Sequence, residues 1–350
     1  MNVIYSSHQE QHQPPFQLHF GVSAEPTEVA ERPTQIADAL RAAGVGQLVE
    51  PRSHPMDCIA AIHAEDYLEF LRTANETPLT DPESEGQPSE ALFPSTWPYS
   101  NHWPVRATSI MAKAGYFCFD TYTPIVRGTY EAAVLSAECA LTGADLLREG
   151  ERVAFALCRP PGHHAMRGMC GGYCYLNNAA IAAEYLAPGG RVAILDVDYH
   201  HGNGTQAIFY DTDRVLYVSI HGDPENAYPY FSGYADERGE GDGLSFNLNI
   251  PLPTGTTDDD YAPALERASE TVREYSPEHL IVSLGFDTYR TDPICDFHLS
   301  AGYFHQMAAR IAALEYPSLL ILEGGYDVEA LGQLAVNFVK GWEEQLRRPG

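Results

Sequence analysis

The sequence predicts an α/β fold, a mainly parallel sheet with helices packed on its faces. Two observations carry this. Short, largely apolar runs recur at residues 153–158, 192–195, 215–220, 280–284 and 319–322, and helical spacings of apolar residues fall between them at 178–186, 261–275 and 304–314. A run without strict polar alternation has to be covered on both faces, as a strand in a parallel sheet is. Strands that alternate with helices build such a sheet. Several of the runs also lead directly into clusters of His, Asp and Tyr, and in open α/β sheets ligands bind just outside the carboxyl ends of the strands.

Residues 1–5 (MNVIY) read as an entry strand, followed by a loop rich in His and Gln through His19. Ile36, Ala39, Leu40 and Ala43 give residues 32–43 a helical face that Gly44 ends. A second amphipathic pattern covers 59–71, with His63, Tyr67 and Phe70. From 75 to 105 the composition changes: prolines at 78, 82, 88, 94, 98 and 104 are mixed with Asp, Glu and Ser, then with Phe93, Trp97, Tyr99 and Trp103. Disordered linkers are poor in aromatics, so this stretch reads as a long ordered loop packed on a pocket rim or a second subunit. Residues 130–148 form a helix that Gly150 ends. With no internal repeat and no low-complexity tract, residues 1–350 read as a single domain with a long loop inserted at about 75–125.

Composition sets limits on partners. The formal charge is −27, and of 21 basic residues only Lys113 and Lys340 are lysine. Such a surface repels nucleic acid and anionic lipid and favours a cationic small molecule. Seven cysteines, at 58, 118, 139, 158, 170, 174 and 295, have no framework spacing, which points to a reducing compartment. Cys170 and Cys174 have no second CxxC to complete a zinc knuckle and read as small buried hydrophobes. No run approaches the ~18 apolar residues of a membrane span, and the N-terminus has no signal-peptide core, so a cytoplasmic protein is expected.

The chemistry concentrates at 191–204, RVAILDVDYHHGNG. Asp198 and His200 are two residues apart, so in an extended segment both side chains point the same way. Carboxylate and imidazole together are a good part of a zinc site, which keeps one position open for water. A solvated loop with a capping aspartate is the ordinary alternative, but two Asp and two His directly after an apolar strand point to metal. Run 153–158 leads into RPPGHHA with His163 and His164, run 280–284 into GFDTYRTDP with Asp287, and run 319–322 into EGGY with Tyr326. Asp198, His200 and Asp287 would supply three ligands. The His pair would move protons between water and a leaving amine, and a Tyr326 hydrogen bond would stabilise an oxyanion. Asp196 and Asn203 are placed to orient the two imidazoles. His201 and His221 read as structural, and Glu323 as an acceptor for nearby backbone N–H groups.

The segments CRPPGHHA (158–165), GGYCYLNNAA (171–180), ILDVDYHHGNGT (194–205), SLGFDTYRTDP (283–293) and LEGGY (322–326) together resemble the zinc-dependent histone deacetylase superfamily. SIHGDPENAYPYFSGYADE (219–237) and the 75–125 loop are most similar to bacterial acetylpolyamine amidohydrolases. The resemblance implies the arginase–deacetylase fold, with a central sheet of about eight strands. It implies one zinc ion at Asp198, His200 and Asp287, the acid–base pair His163 and His164, and Tyr326 at the scissile carbonyl. Tyr173 and Tyr228 become the walls of a narrow tunnel, with Gly172 and Ile294 nearby, suited to a linear alkyl chain. It further implies potassium at Asp196, Asp198, His200, Ser219 and Ile220, and a second cation near Phe209, Thr212, Val215 and Phe246. Where many members carry an Asp to orient the second histidine, this chain has Asn203. The positions at which acetylpolyamine enzymes carry acidic residues for a distant ammonium fall near Met111 and Tyr122 here, a departure that weakens the expectation of polyamine recognition and favours a less charged amide. The loop, with Phe93, Trp97 and Trp103, is the part that forms the family's homodimers.

The leading expectation is therefore a zinc amidohydrolase that removes acetyl, or a similar short acyl group, from a primary amine on a linear chain, with acetylpolyamines first. An acetyl-lysine protein deacetylase or a hydrolase of another small amide is the alternative. A non-catalytic acyl-amine binding protein would keep the fold without the full set of reactive groups seen here.

Overall fold

The computed structural model describes residues 1–76, 79–80, 88–98 and 105–347. Among these, one sheet has eight strands: β1 (Asn2–Ile4), β2 (Gln47–Val49), β3 (Val153–Ala156), β4 (Val192–Asp196), β5 (Val215–Gly222), β6 (Asn247–Leu252), β7 (His279–Leu284) and β8 (Ser318–Leu322). Their order is β6-β5-β4-β7-β8-β3-β1-β2 and every pairing is parallel. The helices are α1 (Glu31–Ala43), α2 (Glu65–Glu76), α3 (Ile110–Phe117), α4 (Thr129–Arg148), α5 (Asn178–Leu186), α6 (Asn203–Phe209), α7 (Asp258–Tyr275), α8 (Ala301–Ala312) and α9 (Val328–Leu346).

The apolar runs are continuous because the sheet has a core on each side. Strand side chains alternate between faces. Ala193 and Leu195 of β4, Leu280, Val282 and Leu284 of β7, and Leu320 and Leu322 of β8 join the core under α1, α7, α8 and α9. Their neighbours Val192, Ile194, Ile281, Leu319 and Ile321 join the opposite core, under α2, α3, α4 and α5. Gly143 lets α4 lie close on β8, since a Cβ there would stand 2.3 Å from Leu319 Cδ1. Ends follow local chemistry: Gly44 closes α1 at φ 65°, and the Asn177 side chain caps α5 by accepting the Ala180 N–H.

Several elements differ from the sequence expectation. β2 and β6 are additional strands. β2 has three residues, and β6 interrupts its apolar residues with Asn247 and Asn249, whose amides reach Gln206 Oε1 at 2.9 and 2.8 Å. α9 is an additional helix, although Leu331, Leu334, Ala335, Phe338, Val339 and Trp342 keep helical spacing and are buried. The helix expected over 59–71 instead splits into one turn, Asp57–Ala60, and α2. At the break, buried His63 accepts the Asn177 N–H through Nε2, 2.9 Å. The segment expected as a loop over 75–125 contains α3, and a bridge between Leu92 and Ile125 ties its middle to its C-terminal end. Trp97 Nε1 donates to the Cys118 carbonyl at 2.7 Å, and Phe93 packs on Phe16. Tyr99 and Trp103 lie outside the described residues. All seven cysteines are free, and no described helix is long and apolar enough to cross a membrane.

Candidate active site

Four adjacent strands, β4, β7, β8 and β3, turn their carboxyl ends to one place. The chain leaves β4 through Asp198 and His200, and Asp287 follows β7. His200 Nδ1 lies 3.3 Å from Asp198 Oδ1 and 3.1 Å from Asp287 Oδ2. Backbone donors fix the carboxylates: His200 N (2.9 Å) on Asp198 Oδ1, Gly324 N (2.7 Å) on Asp198 Oδ2, and Tyr199 N (2.9 Å) on Asp287 Oδ1. Gly285 and Gly324 leave the room. A Cβ on Gly285 would stand 2.2 Å from Asp198 Oδ2, and one on Gly324 would stand 2.3 Å from Asp287 Oδ2 and 2.6 Å from Asp198 Oδ2.

The donor set fits a divalent cation. Asp198 and Asp287 are both wholly buried, and neighbouring buried carboxylates are costly without a positive charge between them. Burial, then the Asp198 charge, pushes the Asp287 carboxyl up to about 7. Burial works the same way on Asp198, but His163 and His200 outweigh it and hold that carboxyl well below the usual range. Two carboxylate oxygens and one imidazole nitrogen, with one side open to a cavity, match a catalytic metal centre with a position left for water. His200 Nε2 faces Cys295 Sγ at 4.0 Å, so Nδ1 is the nitrogen available to a metal. Cys295 groups with His200 and Asp287 within reach of one ion, and burial raises its thiol well above the ordinary value.

The two histidines after β3 have rings 4.0 Å apart. Each has the predicted partner: His163 Nδ1 is 3.1 Å from Asp196 Oδ2, and His164 Nδ1 is 2.7 Å from Asn203 Oδ1. Their surroundings push the two imidazoles in opposite directions. Burial opposes charge on His163, but Asp198 and Asp196 prevail and raise it to about 10. Burial, then the charges of His163 and His200, drives His164 well below its ordinary value. Such a split between paired groups is an arrangement suited to acid–base chemistry. Glu323 does accept backbone N–H groups, from Gly162 (2.7 Å) and His163 (3.1 Å). His201 and His221 are buried and structural, bonded to Gln206 and to the Gly233 carbonyl.

A cavity of about 570 Å³ opens onto this centre, lined by His164, His200 and Tyr326 and by all four expected tunnel residues, Gly172, Tyr173, Tyr228 and Ile294. The Tyr228 ring stands 5.0 Å from His164 at 89°, and Tyr173 5.8 Å from Tyr326. Gly172 adopts φ 56°, and a Cβ there would sit 2.2 Å from His164 Cδ2, so only glycine fits. Buried Asp120 ties two walls together, accepting Gly172 N (2.6 Å) and Tyr228 OH (2.7 Å). Of the two positions compared with acidic residues, Tyr122 lines the cavity, whereas Met111 packs on the α2–α5 side of the core. Asp196 and Ser219 are register partners on β4 and β5, with Ile220 next along.

Sequence reasoning missed Tyr199, Cys295 and Asp296 on the cavity wall. Tyr199 OH donates to Asp296 Oδ1 at 2.8 Å. Their signal was proximity alone: Tyr199 stands between two ligands, and Cys295 and Asp296 follow TDP.

Comparison with known proteins agrees with this geometry. A family model described as the histone deacetylase domain matches residues 26–342. The chain is 45% identical over 339 residues to acetylpolyamine amidohydrolase 1 of Pseudomonas aeruginosa, covering 94% of this chain and 97% of that protein. It is 40% identical to the acetylpolyamine amidohydrolase of Mycoplana ramosa, with 97% and 99% covered. The crystal structure of acetylpolyamine aminohydrolase from Burkholderia pseudomallei superposes with a TM-score of 0.93 at 38% identity, covering 99% of each chain. The metal-ligand geometry, the split His pair and the matched sequence from 26 to 342 converge on one conclusion: this chain belongs to the histone deacetylase domain family and has the arginase–deacetylase fold.

Proposed function

We propose that this protein is a zinc-dependent amidohydrolase that removes the acetyl group from an acetylated polyamine. The observation that carries the reading is the meeting of Asp198, His200 and Asp287 with the His163–His164 pair and Tyr326 at one end of an aromatic-lined cavity. Zinc, when bound by the three ligands, polarises the amide carbonyl and makes water acidic enough to attack near neutral pH. His164, neutral and oriented through Nδ1 by Asn203, has Nε2 left to take the proton of the attacking water and pass it to the departing amine. His163, held at Nδ1 by Asp196 with its ring 4.0 Å from that of His164, lies beside this proton path. The Tyr326 hydroxyl donates to the carbonyl oxygen as it becomes an oxyanion. Among the described residues the cavity lining includes the carboxylates of Glu25 and Asp296 and no Lys or Arg, which favours a substrate with a second, cationic amine.

Potassium at Asp196, Asp198, His200, Ser219 and Ile220, a cytoplasmic location for the free thiols, and a homodimer formed through the 75–125 segment belong to the same reading. The decisive experiment is a competition panel of acetylputrescine, acetylspermidine, an acetyl-lysine peptide and N-butylacetamide. The acetylated diamine should exceed the neutral amide by roughly tenfold in kcat/KM, about the worth of one partly buried charge pair. Preference for the peptide would instead assign the enzyme to protein deacetylation.

A further inference from the structure

The turn that carries Tyr326 contains two glycines, and its placement depends on bonds from outside it. Glu323 N donates to the Leu284 carbonyl at 2.9 Å, and Phe286 N donates to the Gly324 carbonyl at 3.1 Å. Gly324 N goes to Asp198, and Arg32 holds the Gly325 carbonyl at 2.6 Å. Gly325 itself sits at φ 114°, a conformation available to glycine and without a side chain to restrain it. Beyond this swivel Arg32 lies over the Tyr326 ring at 4.9 Å and Val328 N donates to the Tyr326 carbonyl at 3.0 Å, while the Tyr326 N–H is held by Asp292. Its buried carboxylate accepts the Tyr326 N–H on Oδ2 at 2.7 Å, and on Oδ1 it accepts Ile294 N at 3.1 Å. Next to it, Thr291 Oγ1 donates to the Asp327 carboxylate. Segment 291–294, which supplies the cavity wall at Ile294, is thus fastened to the residue that presents the phenol.

We propose that Asp292 is a positioning residue for Tyr326, setting where its hydroxyl meets the substrate carbonyl and linking that position to the cavity wall at Ile294. The inference rests on the reading of Tyr326 as the oxyanion donor. The phenol is a long lever. A backbone tilt of roughly 10° moves its hydroxyl about 1 Å, and displacement on that scale costs on the order of 10²-fold in rate.

The test is a double-mutant cycle on the zinc-loaded enzyme with acetylputrescine. Asp292→Asn keeps the shape but puts an amide where one of the two N–H groups needs an acceptor. We expect kcat to fall about 10- to 100-fold with KM within about twofold and zinc stoichiometry unchanged. Tyr326→Phe removes the hydroxyl but keeps the backbone N–H. In that background Asp292→Asn should cost less than about threefold more, because it acts through the group already lost. Independent, multiplying losses overturn the proposal, as does an Asp292→Asn enzyme with wild-type kcat. Should Asp292→Asn fail to fold, Asp292→Glu keeps charge and acceptors on a longer arm and is read in the same cycle. A Tyr326→Phe enzyme as fast as wild type would reject the oxyanion role itself, an outcome distinct from additivity.

Discussion

Asp196, Asp198 and Asp287 are all fully buried, and their surroundings give them different tasks. Asp196 carries the Nδ1 side of His163, while Asp198 and Asp287 share His200. Burial and Asp198 push Asp287 up to about 7, and against burial Asp198 and Asp287 raise His200 to about 9, so a metal must displace protons from both as pH falls through these values. Metal affinity should therefore fall as pH drops, by about tenfold or more from pH 7 to 6. Zinc competition against a chelator of known protonation constants at pH 8, 7 and 6 measures this, and a flat affinity would remove Asp287 and His200 from the ligand set. At this scale much was legible. That Asp198, His200 and Asp287 would meet, and that Asp196 and Asn203 would bond the two imidazoles, could be read because short chemical motifs directly follow strands. Asp292 and Cys295 were not named, since their importance comes from what folds against them: the Tyr326 N–H for one and the His200 ring for the other.

The turns after the strands form a shared floor. Gly285 and Gly324 sit under the same two carboxylates, so the floor tolerates no side chain. Gly324→Ala would press a methyl into Asp287 Oδ2 and Asp198 Oδ2, separating the ligand oxygens. We expect the variant to lose tight zinc while its far-ultraviolet circular dichroism is kept, because the strands pair on either side. Metal analysis after desalting decides, and full zinc occupancy would show that the turn can yield. The strands that feed these turns were readable as apolar runs. β6 was not, because its inward asparagines bond to Gln206 and break the apolar pattern. β2 was too short to leave a pattern. The split at His63 was equally hidden, since it depends on a bond to Asn177, 114 residues away.

Over the whole molecule the net charge is −27, and Glu25 and Asp296 lie on the cavity wall. Attraction of a cationic substrate should weaken as salt shortens the Debye length to about 3 Å at 1 M. Accordingly kcat/KM for acetylputrescine should fall several-fold between about 0.05 and 0.5 M NaCl while that for N-butylacetamide stays level. Equal salt dependence for both would detach the surface charge from substrate capture. The α/β class and the parallel sheet were readable from the alternation of runs and helices. Strand order was not, since nothing local in 318–322 says that it must insert between β7 and β3.

That insertion has a consequence for how the protein comes into being. The strand at 318–322 joins two half-sheets made earlier in the chain, and until it is synthesised both halves present bare, apolar edges of the kind that recruit other chains. The nascent protein thus remains open until residues 318–322 emerge, and its dependence on chaperones should fall when this keystone strand slides home.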